Sequence, residues 1–67
     1  MTLGDKVKTL RKGNKMTQEQ LGEHLEMTRS AINKWERNRS VVPTKKIIAL
    51  SKLFHVPVSF FFEGVDE

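Results

Sequence analysis

From Thr28 to Glu36 the chain reads TRSAINKWE, and four of these residues carry polar groups suited to recognition. Arg29, Ser30, Asn33 and Lys34 fall on one broad side of a helix, while Ile32 and Trp35, an i, i+3 pair, fall on the other. Arg and Lys suit the O6/N7 acceptors of guanine, and Asn suits the N6/N7 edge of adenine. A helix fits the DNA major groove, where every base pair shows a distinct donor and acceptor pattern, and it must read from its first two turns. Each good bidentate pair contributes roughly 1–3 kcal/mol of discrimination. The plainer alternative is an ordinary solvated helix face.

Other chemistries have less support. The chain has no cysteine, hence no disulfide and no Cys-based zinc site. His24 and His55 stand far apart without partners at metal-ligand spacing, so no metal or cofactor is expected. There is no Ser/His/Asp or Cys/His set, no Gly-rich phosphate loop and no paired carboxylate in the apolar block, which argues against an enzyme. No signal peptide is evident and no apolar run reaches the roughly 20 residues of a membrane span, so a cytoplasmic protein without a membrane partner is expected. The net charge is +4, and its placement is uneven. Between Met27 and His55 lie Arg29, Lys34, Arg37, Arg39, Lys45, Lys46 and Lys52, with Glu36 the only acid, whereas Glu63, Asp66 and Glu67 make the end acidic. A basic middle suits a polyanion, or is simply a soluble basic face.

Two capped helices would position the recognition residues. Thr17 is an N-cap with Gln20 three residues on, a capping box, and Met16 with Leu21 has the spacing of a hydrophobic staple. The signals repeat at Thr28, with Met27 and Ile32 as the second staple. Starts eleven residues apart leave a first helix of about eight residues and a corner at Glu26 and Met27. Leu21 and Leu25 share one face of it (i, i+4). Gly22 costs roughly 1 kcal/mol in mid-helix against Ala, and its missing side chain is useful if another helix crosses closely there.

This stretch resembles the helix-turn-helix of the phage-repressor and Cro-like family, often called the XRE family. The matching positions are Gln18, Leu21, Gly22, Leu25, Ile32 and Glu36, and the likeness runs from about Leu3 to Phe62. It implies an all-α, compact five-helix bundle of the lambda-repressor-like type, with the helix-turn-helix formed by helices 2 and 3. Glu26 departs from the pattern, standing where the family most often has Gly. Val41 and Val42 stand where some relatives carry basic residues, which argues against a minor-groove contact. The likeness implies phosphate contacts from Gln18 and its neighbour Thr17, and from Thr28, Arg37, Asn38 and Arg39. It also implies that Glu36 pairs with Arg11, turning the Arg11 guanidinium toward the DNA backbone.

The remaining chain reads as one domain over residues 1–67. Met1 to Lys12 forms helix one, with Thr2 as cap, Asp5 three residues on, and Leu3, Val7 and Leu10 as its core stripe. Gly13 and Asn14 end it, both tolerant of a left-handed backbone. Lys6, Lys8, Lys12 and Lys15 are expected in solvent. RNRSVVP is a loop in which Asn38 can take positive φ. Helix four starts at about Thr44, offers Ile47, Leu50 and Leu53 or Phe54 to the core, and stops before Pro57. A last short helix, about Val58 to Phe62, ends at Gly64. Its consecutive Phe60, Phe61 and Phe62 cannot all point inward, so at least one of them is expected to face a partner chain, the three together being the candidate homodimer interface; the plainer alternative is that they wrap the small core. The leading expectation is a sequence-specific, double-stranded DNA-binding regulator of repressor type, dimeric on a two-fold operator. The alternative is an antitoxin or other protein-interaction module docking through the Phe cluster.

Overall fold

The computed structural model describes residues 1–64; Asp66 and Glu67 of the expected acidic end lie outside the described residues. Four α-helices follow one another: α1 Leu3–Gly13, α2 Gln18–Leu25, α3 Arg29–Glu36 and α4 Thr44–Phe54. A single 3-10 turn, Val58–Phe61, follows them, and there is no strand among the described residues. The bundle therefore has four α-helices where five were expected. The reason is length. Pro57 (φ −69°) starts the segment, which buries one ring and then turns out through Gly64 at φ +59°. So short a piece gains little from the α-helical ladder and closes with tighter i→i+3 bonds instead, Phe60 N–H to Pro57 O and Phe62 N–H to Ser59 O, both 3.0 Å.

Local signals set the helix starts. Thr2 with Asp5 and Thr17 with Gln20 each form a reciprocal capping box. The Thr28 hydroxyl accepts the Ala31 N–H at 3.1 Å. Bonds from Thr2, the backbone N–H foremost, hold the Asp5 carboxyl below its ordinary range. α1 runs one residue further than expected. Gly13 lies inside it, Asn14 has φ −99°, and the left-handed residue is Lys15 at φ +56°.

The core is Val7, Leu21, Leu25, Ile32, Trp35, Val42, Ile47, Leu50 and Phe61. Every helix and the 3-10 turn contributes to it. Two glycines let backbones meet. A Cβ on Gly22 would stand 2.5 Å from the Met27 carbonyl oxygen, so the close neighbour is the corner of the helix-turn-helix and not a crossing helix. A Cβ on Gly4 would collide with the Trp35 carbonyl and the Asn38 side chain, which fixes α1 against the end of α3.

Two lysines are spent inside the protein. Lys6, expected in solvent, is 6% exposed. Its ammonium donates to the carbonyls of Phe60 (2.5 Å) and Glu63 and lies 4.9 Å from the Phe60 ring centroid. Carbonyls beyond a short turn lack helical partners, and an ammonium brings three donors. Lys46, counted with the basic block, donates to the Leu25 carbonyl at 2.6 Å and closes the end of α2.

Candidate nucleic-acid interface

α3 has two unlike sides. Ile32, Trp35 and Glu36 are buried, Arg29, Ser30 and Lys34 are exposed, and Asn33 is half-buried at the boundary. Ile32 and Trp35, buried on one side, aim the other side outward. Arg29, Ser30 and Asn33 line one open cleft along this side. A second open cleft beside it is lined by Arg11, Met16, Thr17, Gln18, Glu19 and Arg29. Arg29 thus stands between the start of α2 and the outer side of α3.

Under the clefts lies a buried ion pair. Arg11 Nε donates to Glu36 Oε2 at 2.6 Å and Nη2 to Oε1 at 3.0 Å, a two-pronged contact. Arg11 Nη1 donates to the Met16 carbonyl at 2.7 Å, tying α1 to the loop before α2. Gln18 Nε2 donates to Glu36 Oε1 at 3.1 Å, and Asn33 Nδ2 donates to Gln18 Oε1 at 3.4 Å. Helices α1, α2 and α3 are thereby joined by one polar network at the start of α2. No buried side-chain nitrogen or oxygen among the described residues lacks a partner. Charges this well satisfied hold geometry where an unpaired one would disrupt it.

The other expected contacts are scattered more widely. The Thr17 and Thr28 hydroxyls already accept backbone N–H groups at the helix starts, keeping their own O–H to give. Arg37 and Arg39 are exposed after α3. Asn38, at φ +58°, accepts the Gly4 N–H on its side-chain oxygen at 3.3 Å. Its carbonyl oxygen serves the fold, which leaves its amide hydrogens for a ligand. The three phenylalanines separate. Phe61 is fully buried, Phe60 packs edge-on against it at 5.4 Å, and Phe62 is 59% exposed. A dimer contact by Phe61 is corrected: its ring is fully buried and belongs to the core cluster that also holds Val7 and Leu50. Sequence reasoning missed Glu19, an acid in the second cleft, and the link from Asn33 through Gln18 to Glu36. Complementary donors and acceptors, Gln18 at the start of α2 and Asn33 with Glu36 one turn apart on α3, were the available signal.

Residues 7–61 match the family described as helix-turn-helix. The chain belongs to the XRE, or Cro-like, helix-turn-helix family. That is a family of DNA-binding transcriptional regulators and not a class of enzymes. Similar proteins include the HTH-type transcriptional activator BcrR of Enterococcus faecalis, 36% identical over 66 residues, covering 98% of this chain and 32% of the relative. The HTH-type transcriptional regulator DicA of Escherichia coli is 28% identical over 67 residues, covering 100% of this chain and 50% of that one. The chain spans about a third to a half of the length of these curated relatives. Among solved structures, the P22 c2 repressor in complex with a synthetic operator superposes with a TM-score of 0.86 at 26% identity, covering 96% of this chain and 97% of that one. No helix among the described residues is long and apolar enough to cross a membrane, and no group of three or more His, Cys, Asp or Glu is gathered there as for a metal.

Proposed function

We propose that this chain regulates transcription as a repressor by laying α3 in the major groove of double-stranded DNA. Arg29, Ser30, Asn33 and Lys34 meet base edges. Thr17, Gln18, Thr28, Arg11, Arg37, Asn38 and Arg39 meet the backbone. The observation that carries this reading is the division of α3, with Ile32 and Trp35 buried and Arg29, Ser30 and Lys34 exposed beside the start of α2. A helix start offers unpaired N–H groups and the positive end of its dipole to a phosphate. The P22 c2 repressor, which binds an operator, supports the same docking. A dimer on a two-fold operator would place its half-sites about 34–36 Å apart, one turn of DNA. The exposed Phe62 and Val58 supply apolar surface for that dimer.

Fluorescence anisotropy with labelled duplexes tests this reading. Affinity should fall steeply with salt, with a logarithmic slope of roughly −5 to −9 for a dimer. Arg29→Ala should weaken binding to the cognate operator by roughly 1–3 kcal/mol and change binding to random DNA little. An equal loss on both would remove Arg29 from base readout. Exposed Phe62 also favours a second reading, a protein-docking module, whose binding would be nearly indifferent to salt.

A further inference from the structure

The outer side of α3 and the buried ion pair are joined by two side-chain amides, and the join has a direction. Glu36 Oε1 receives a bond from Gln18 Nε2 at 3.1 Å, and Gln18 Oε1 receives one from Asn33 Nδ2 at 3.4 Å. A carboxylate only accepts, so Gln18 must turn its nitrogen to Glu36 and its oxygen to Asn33. That oxygen also only accepts, so Asn33 keeps its nitrogen on the α2 side. Amide nitrogen and oxygen lie on opposite sides of the Cβ–Cγ bond, so the Asn33 oxygen faces away from α2. Asn33 is half-exposed and lines the cleft shared with Arg29 and Ser30.

We propose that Gln18 is a positioning residue for Asn33, and that Glu36, acting through the Gln18 amide, sets which way Asn33 meets a base. The proposal rests on the DNA-reading function proposed above. An outward oxygen, with the second N–H beside it, complements adenine, which shows a donor at N6 and an acceptor at N7. Guanine shows two acceptors, N7 and O6, and would face the Asn33 oxygen with an oxygen. Reversing both amides would turn the nitrogen outward and favour guanine. The direction of this two-link chain therefore chooses between the purines. An isolated asparagine could flip to suit either.

Selection of bound sites from random duplex DNA tests this with four proteins: wild type, Asn33→Ala, Gln18→Met and Gln18→Lys. Asn33→Ala marks the base pair that Asn33 reads, as the position where preference is lost. Gln18→Met removes both links at similar volume, and is expected to cut the adenine-over-guanine preference at that position roughly tenfold while sparing positions read by Arg29. Gln18→Lys only donates, draws the Asn33 oxygen inward, and is expected to move the preference at that position toward guanine. In the free protein, the Asn33 side-chain amide resonances should move on Gln18→Met. Unmoved resonances, an unchanged preference in Gln18→Lys, or an equal loss of affinity for all sequences in Gln18→Met would overturn the proposal. The last would leave Gln18 as a phosphate contact and DNA reading intact. A wild-type protein that selects no sequence would overturn the DNA-reading function itself, and this proposal with it.

Discussion

Arg11 and Glu36 form a buried ion pair, with side-chain exposures of only 10% and 2%. The carboxylate is bound on both oxygens, to Arg11 and Gln18, so its loss leaves a buried guanidinium without a counter-charge. Glu36→Gln should cost about 3–5 kcal/mol, as for other broken buried pairs. A domain of this size commands only about 3–5 kcal/mol in all, so urea titration should find that variant largely unfolded. Replacing both partners by apolar residues of similar volume should recover most of the loss, because no charge is then stranded. The pair itself was legible in the sequence only through the family likeness. Lys6 and Lys46 were not legible at all, since nothing in a lysine's neighbours along the chain reveals a distant carbonyl that needs a donor.

The helix-turn-helix is held by its caps and by its corner. Glu26, the last cap of α2, has φ +56° and ψ +45°, a backbone that glycine adopts without strain. It also puts a negative charge at the carbonyl end of α2, where the helix dipole disfavours it. Glu26→Gly should therefore stabilise the fold by about 1 kcal/mol, after the entropy cost of glycine is set against the relieved left-handed strain. The melting midpoint should rise by about 4–8 °C for a domain of this length, as followed by circular dichroism. A fall would mean that Glu26 makes a contact worth more than the strain. Caps and apolar spacing made α2, α3 and the extent of α4 readable from sequence, because those signals are local. The last segment was misread for the complementary reason. Nothing within Val58 to Phe62 distinguishes a 3-10 turn from a short α-helix; Pro57 and the buried Phe61 ring decide it through the rest of the fold.

On the scale of the whole molecule, the charge and the apolar surface are put to different uses. Arg29, Lys34, Arg37 and Arg39 stay exposed, while Lys6 and Lys46 are turned inward to carbonyls. The phenylalanines divide in the same way. Phe61→Ala should cost about 3–5 kcal/mol by emptying a core site and should unfold the domain. Phe62→Ser should leave the fold intact and shift the protein toward monomer in sedimentation velocity. An unchanged sedimentation profile would remove Phe62 from the proposed dimer interface. The sequence showed that three adjacent rings cannot share one face, but which ring turns inward depends on where the 3-10 turn meets α1 and α4.

The most direct test of the central claim, that the outer side of α3 is the DNA-reading surface, is residue-resolved NMR titration of the chain with duplex DNA. Amide and side-chain resonances of Thr17, Gln18, Arg29, Ser30, Asn33 and Lys34 should move first and farthest, with those of Arg37 to Arg39 following. Shifts gathered instead around Val58 and Phe62, with α3 silent, would contradict it.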